Sequence, residues 1–129
     1  MDRVFLDANV LFSAAYRSNS GLLRLWALED CALYSSRYAI AEVAANLDED
    51  SQRERLDNLC KTLTLVDAVS IKLPHGIVLP EKDVPILAAA IKADASHLLT
   101  GDVRHFGRYL GRRISGVLVQ LPGEYLKAR

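Results

Sequence analysis

The chain has 129 residues in which 16 Lys plus Arg balance 16 Asp plus Glu, so its formal net charge is zero. That balance excludes a histone-like polycation, whose grip on nucleic acid comes from a uniform excess of positive charge. With 50% hydrophobic and 25% charged residues the composition is that of a globular protein, and at this length one domain spanning 1–129 is expected to bury its own core.

The N-terminus reaches Asp7 after only Val4-Phe5-Leu6, too short an apolar run for a secretory leader, and no run is long enough to cross a bilayer. Cys31 and Cys60 have no nearby cysteine or histidine partner, which argues for two reduced thiols in a cytoplasmic protein and against zinc or redox motifs.

In chain order, Val4-Phe5-Leu6 predicts a short buried strand ending at the carboxylate of Asp7. Leu22, Leu23, Leu25, Trp26 and Leu28 predict a helix over 21–29, and Ala32-Leu33-Tyr34 a second strand. Ser35 or Ser36 caps a helix carrying Ile40, Val43, Ala44 and Leu47. Ser51-Gln52-Arg53-Glu54 has the spacing of a capping box, opening a helix whose apolar face is Leu56, Leu59, Cys60 and Leu63. Thr64-Leu65-Val66 predicts a third strand, and Pro74, Gly76 and Pro80 make 70–81 a loop. Asp83 precedes an apolar helix with Pro85 in its first turn. His97-Leu98-Leu99-Thr100 and residues 116–121 predict strands four and five. Strands alternating with helices imply a three-layer α/β/α sandwich around a mostly parallel five-stranded sheet, without internal repeats.

Functional sites of such sheets lie at the carboxyl ends of the strands, where Asp7 and Asp102 fall. If the helices holding Glu42 and Asp83 pack beside those strands, four carboxylates converge, and a divalent cation removes their repulsion. Oxygen ligands without thiolate favour Mg²⁺ or Mn²⁺, and a pair of such ions suits phosphodiester hydrolysis. Each acid also has an ordinary explanation. Asp83 suits a helix N-cap, Asp7 and Asp102 suit turns that bond their own backbone, and Glu42 suits a solvated helix edge.

The ordered set Asp7-Ala8-Asn9-Val10-Leu11, Ala41-Glu42-Val43, Asp83-Val84-Pro85-Ile86-Leu87 and Leu98-Leu99-Thr100-Gly101-Asp102, with Phe106 after it, resembles the PIN-domain nuclease pattern along nearly the whole chain. The resemblance implies a Rossmann-like fold and a Mg²⁺- or Mn²⁺-dependent endoribonuclease, commonly the toxin of a VapC-type toxin–antitoxin pair. It implies that Asp7, Glu42, Asp83 and Asp102 are the catalytic, metal-binding acids, with Asp7 central and Asn9 and Thr100 lining the site. An RNA substrate, an antitoxin protein and a homodimer follow as expected partners. Asp94 is assigned to a solvated helix end.

The zero net charge divides unevenly. Residues 103–129 hold six basic residues against Glu124 alone, and Arg104, Arg108, Arg112 and Arg113 follow Asp102 closely enough to hold RNA phosphates. Phe106 and Tyr109 are candidates for stacking a base, with a core position as the alternative. His105 is the one histidine near the acids, and it lacks a partner at helical spacing that would make it a general base. Two other classes compete: a PIN-like module that binds RNA or protein without turnover, and a phosphatase with an aspartyl nucleophile. The phosphatase wants a second acid two residues after Asp7, where this chain has Asn9.

Overall fold

Val4, Phe5 and Leu6 are fully buried in strand β1 (Asp2–Leu6), because both faces of this central strand are covered by helices. The structure, a computed structural model, describes residues 1–70 and 72–129. Helix α1 (Ala8–Tyr16) starts at once, with the Asp7 side chain accepting from Ala8 N–H as its cap. The mixed Asn-Val-Leu-Phe-Ser run carries no clear periodic signal for it. Residues Gly21–Ala27, expected as an α-helix, wind instead as a 3₁₀ segment capped by Ser20. Tight winding suits a short span that has to turn Leu25 into the core while Trp26 bonds the Leu59 carbonyl at 3.0 Å.

Strand β2 (Cys31–Ser35) leads through the Ser36 cap into α2 (Arg37–Asn46). Helix α3 (Asp50–Cys60) has its capping box two residues earlier than the sequence reading placed it. Glu49 is the cap and Gln52 reaches back to the Glu49 N–H at 3.0 Å, so Ser51 and Glu54 lie inside the helix. The two-residue β3 (Thr64–Leu65) follows, and residues 72–80 run without regular structure. Ile71, part of the expected 70–81 loop, lies outside the described residues. A 3₁₀ turn, Glu81–Asp83, opens α4 (Val84–Lys92), whose Ile86 to Ala90 are buried. Asp94 beyond it is exposed, the solvated helix end expected of it, and its φ of 54° puts it in the left-handed region.

Strand β4 (His97–Leu99), the four-residue α5 (Val103–Phe106), β5 (Arg113–Ile114), β6 (Val117–Gln120) and α6 (Pro122–Lys127) complete the chain. The sheet order is β3-β2-β1-β4-β6-β5, parallel throughout except for β5. Among the described residues it therefore has six strands where five were expected. The extra one is an edge hairpin turned by Ser115 and Gly116, both at positive φ, and two residues carry too little apolar pattern to announce it. Sequence order reverses between β1 and β4. Such a switch point opens a crevice at the strand ends, and Asp7 and Asp102 follow those two strands. No helix among the described residues is long and apolar enough to cross a membrane.

Candidate metal centre

Asp7 leaves β1 with its backbone still in the sheet, its N–H donating to the Leu99 carbonyl at 3.0 Å. The residue is only 3% exposed. Oδ1 accepts from Ala8 N–H at 2.7 Å, and Oδ2 accepts from the Thr100 hydroxyl at 2.8 Å and the Asn9 amide at 3.0 Å. Asn9 in turn accepts from the Gly101 N–H at 2.7 Å, tying α1 to the end of β4. Burial outweighs these bonds and pushes the Asp7 carboxyl up to about 6, with the charge of Asp83 adding to the rise. Thr100 is fully buried behind Asp7, so it orients that carboxylate and does not line the cavity expected of it.

Asp83 does not behave as a helix cap. Its side chain makes no capping hydrogen bond, and its carboxylate instead turns toward Asp102 and His105. Burial raises the Asp83 carboxyl above its ordinary range, against the pull of the His105 charge and with the push of Asp102. Asp102 caps α5 through Oδ1, which accepts from His105 N–H at 3.0 Å. That cap sets the imidazole over the same carboxylate, and His105 Nδ1 lies 2.8 Å from both Asp102 Oδ2 and Asp83 Oδ2. Neither contact has the direction of a hydrogen bond, so Asp83 Oδ2 and His105 Nδ1 are buried polar atoms without a hydrogen-bond partner. Two acids that share a single imidazole at this depth still repel each other, which costs stability.

Glu42, exposed on α2, faces the same cleft. Asp7, Asn9, Glu42, Lys82, Asp83 and Asp102 all line one cavity of about 480 Å³, so the structure brings together the four acids that the sequence reading chose. Three ligand atoms, one each from Asp83, Asp102 and His105, lie within 4.8 Å of one another, a donor set a divalent ion fits. His105 is the member that sequence reasoning passed over. The signal was the i, i+3 spacing from Asp102, because a capping carboxylate lies beside the third residue of the helix it caps.

The basic residues Arg104, Arg108, Arg112 and Arg113 are exposed, but none lines the cavity. Phe106 is 0% exposed and Tyr109 5%, and the Tyr109 hydroxyl bonds both the N–H and the carbonyl of Val78. Both rings belong to the core, which removes them as base-stacking platforms.

A family model described as PIN domain matches residues 3–104, a span containing all four acids and Asn9. The chain belongs to the PIN domain family. Two solved structures are similar in fold. The crystal structure of VapBC2 from Rickettsia felis bound to a DNA fragment from their promoter has a TM-score of 0.66 and 19% identity, covering 92% of this chain and 98% of that one. The structure of FitAB bound to an IR36 DNA fragment has a TM-score of 0.55, also at 19% identity, covering 92% and 94%. No curated protein matches the sequence. The PIN fold explains why acids from four regions of the chain meet at the β1–β4 switch point.

Proposed function

We propose that this PIN domain is a Mg²⁺- or Mn²⁺-dependent endoribonuclease and the toxin half of a toxin–antitoxin pair. The observation that carries the reading is the Asp83 carboxylate. It is 6% exposed, it has an oxygen without a hydrogen-bond partner, and it is turned toward a second acid in a cleft that two further acids line. Acids packed this closely repel one another, and a divalent cation turns that repulsion into binding.

Asp7, Glu42, Asp83 and Asp102 would hold the metal. When bound, a divalent ion activates water and stabilises the leaving oxygen of a phosphodiester. The chain's own residues do the rest. Thr100, Asn9 and Ala8 N–H fix the Asp7 carboxylate in one orientation, which is the preorganisation that electrostatic catalysis needs. Lys82 on the cavity wall offers a cation to a phosphate oxygen, and the exposed arginines of 104–113 extend the positive track away from the acids. A homodimer and an antitoxin partner belong to the same proposal. Support for the antitoxin comes from VapBC2 and FitAB, both named as complexes on DNA.

The test is cleavage of a broad RNA panel by purified protein in Mn²⁺ or Mg²⁺, repeated with EDTA and with Asp102→Asn. Cleavage that needs metal and vanishes in the variant is expected. Cleavage surviving either change overturns the reading, and RNA held without any turnover replaces it with a binding module.

A further inference from the structure

The imidazole of His105 stands inside the acid cluster. Two ligands on neighbouring corners of an octahedral shell, with the bonds of about 2.0–2.1 Å that Mg²⁺ takes, are about 2.9 Å apart. The 2.8 Å separations of Nδ1 from Asp83 Oδ2 and from Asp102 Oδ2 match two such edges. The side chain of Asp83 is nine-tenths buried, and its Oδ2 meets Nδ1 without the direction of a hydrogen bond. His105 is also held where it is by the backbone, because its N–H is committed to Asp102 Oδ1.

We infer that His105 is a nitrogen ligand of the metal, completing an O,O,N set with Asp83 and Asp102, and that it biases the site toward Mn²⁺ over Mg²⁺. The inference rests on the metal-dependent reading above and adds a donor that the four-acid pattern does not contain. Carboxylate oxygens suit both ions, whereas an imidazole nitrogen favours the transition metal, since Mg²⁺ keeps to hard oxygen ligands. The geometry comes from the Asp102 cap: a residue three positions into α5 is the one whose side chain the cap carboxylate meets.

The experiment is pulsed electron paramagnetic resonance of Mn²⁺ bound to tag-free full-length protein, which detects a directly coordinated ¹⁴N. Nitrogen modulation in the wild type and its loss in His105→Gln are expected. In parallel, titration calorimetry should show Mn²⁺ affinity falling about tenfold or more in that variant while Mg²⁺ affinity changes little. The wild-type spectrum needs no variant, so a poorly folding His105→Gln does not rescue the idea. Bound Mn²⁺ without nitrogen modulation, or modulation that persists in His105→Gln, overturns the histidine ligand and leaves the metal site standing. A protein that binds no Mn²⁺ overturns both.

Discussion

Replacing Asp7 by asparagine should make the metal-free protein relatively more stable as pH rises, and the size of the change follows from one carboxyl. Burial lifts that carboxyl from 3.8 to about 6, so between these values the folded protein binds a proton that the unfolded chain releases. Stability from this group is therefore present at low pH and is lost as pH rises through about 6. At 1.36 kcal/mol per unit, the loss between pH 5 and pH 7.5 is about 1.4 kcal/mol. The amide of the Asp7→Asn variant has no proton to lose. It does forfeit a bond, because with its one oxygen turned to Thr100 and Asn9 its NH₂ cannot accept from Ala8 N–H, a cost of about 1 kcal/mol that is the same at both pH values. The readout is thus a difference of differences: urea unfolding of both proteins at pH 5 and 7.5 in EDTA. The stability of Asp7→Asn minus that of wild type should grow by about 1.4 kcal/mol with pH. A difference that stays flat or shrinks refutes the burial argument. Adding Mn²⁺ at pH 7.5 should stabilise the wild type and leave the variant behind, because only the ionised carboxylate binds the ion.

Phe106→Ala should cost about 3–5 kcal/mol of unfolding free energy as a fully buried ring is emptied, measured by urea denaturation, and a near-neutral result would return the ring to the surface. Neutralising Arg112 and Arg113 together should lower the slope of log affinity for single-stranded RNA against log salt by about 1.4, read by fluorescence anisotropy, and an unchanged slope removes both from the RNA track. Tyr125→Phe removes a 2.7 Å bond to Asp2 Oδ2 and should lower the unfolding free energy by about 1 kcal/mol, with no effect on metal affinity by calorimetry.

The alternation of strands and apolar helices was legible because each central strand is buried on both faces, which writes runs such as Val4-Phe5-Leu6 into the chain. The four acids were legible as an ordered pattern, and the structure lines one cavity with them. What escaped was short or aperiodic. Strand β5 has two residues, α6 has six, and α1 has nine with Asn and Ser interrupting its apolar run. Phe106 and Tyr109 beside an arginine cluster had the composition of a stacking surface, and only the packing of Tyr109 under Val78 shows otherwise. His105 escaped because a ligand role depends on where a cap aims a side chain, and that is a fact of three dimensions.

The backbone hydrogen bonds of Asp7 to Leu99 and of Thr100 to Gln120 tie those two residues to the carboxyl ends of the central parallel strands. Their amides should exchange with solvent only when the whole domain opens. Asp83 and His105 sit instead on a three-residue 3₁₀ turn and a four-residue helix, which fray at far smaller cost. One wall of the cleft thus stays fixed for as long as the protein is folded, while the opposite wall can breathe. Entry and departure of a ligand can proceed through the yielding wall without disturbing the carboxylate that waits on the other side.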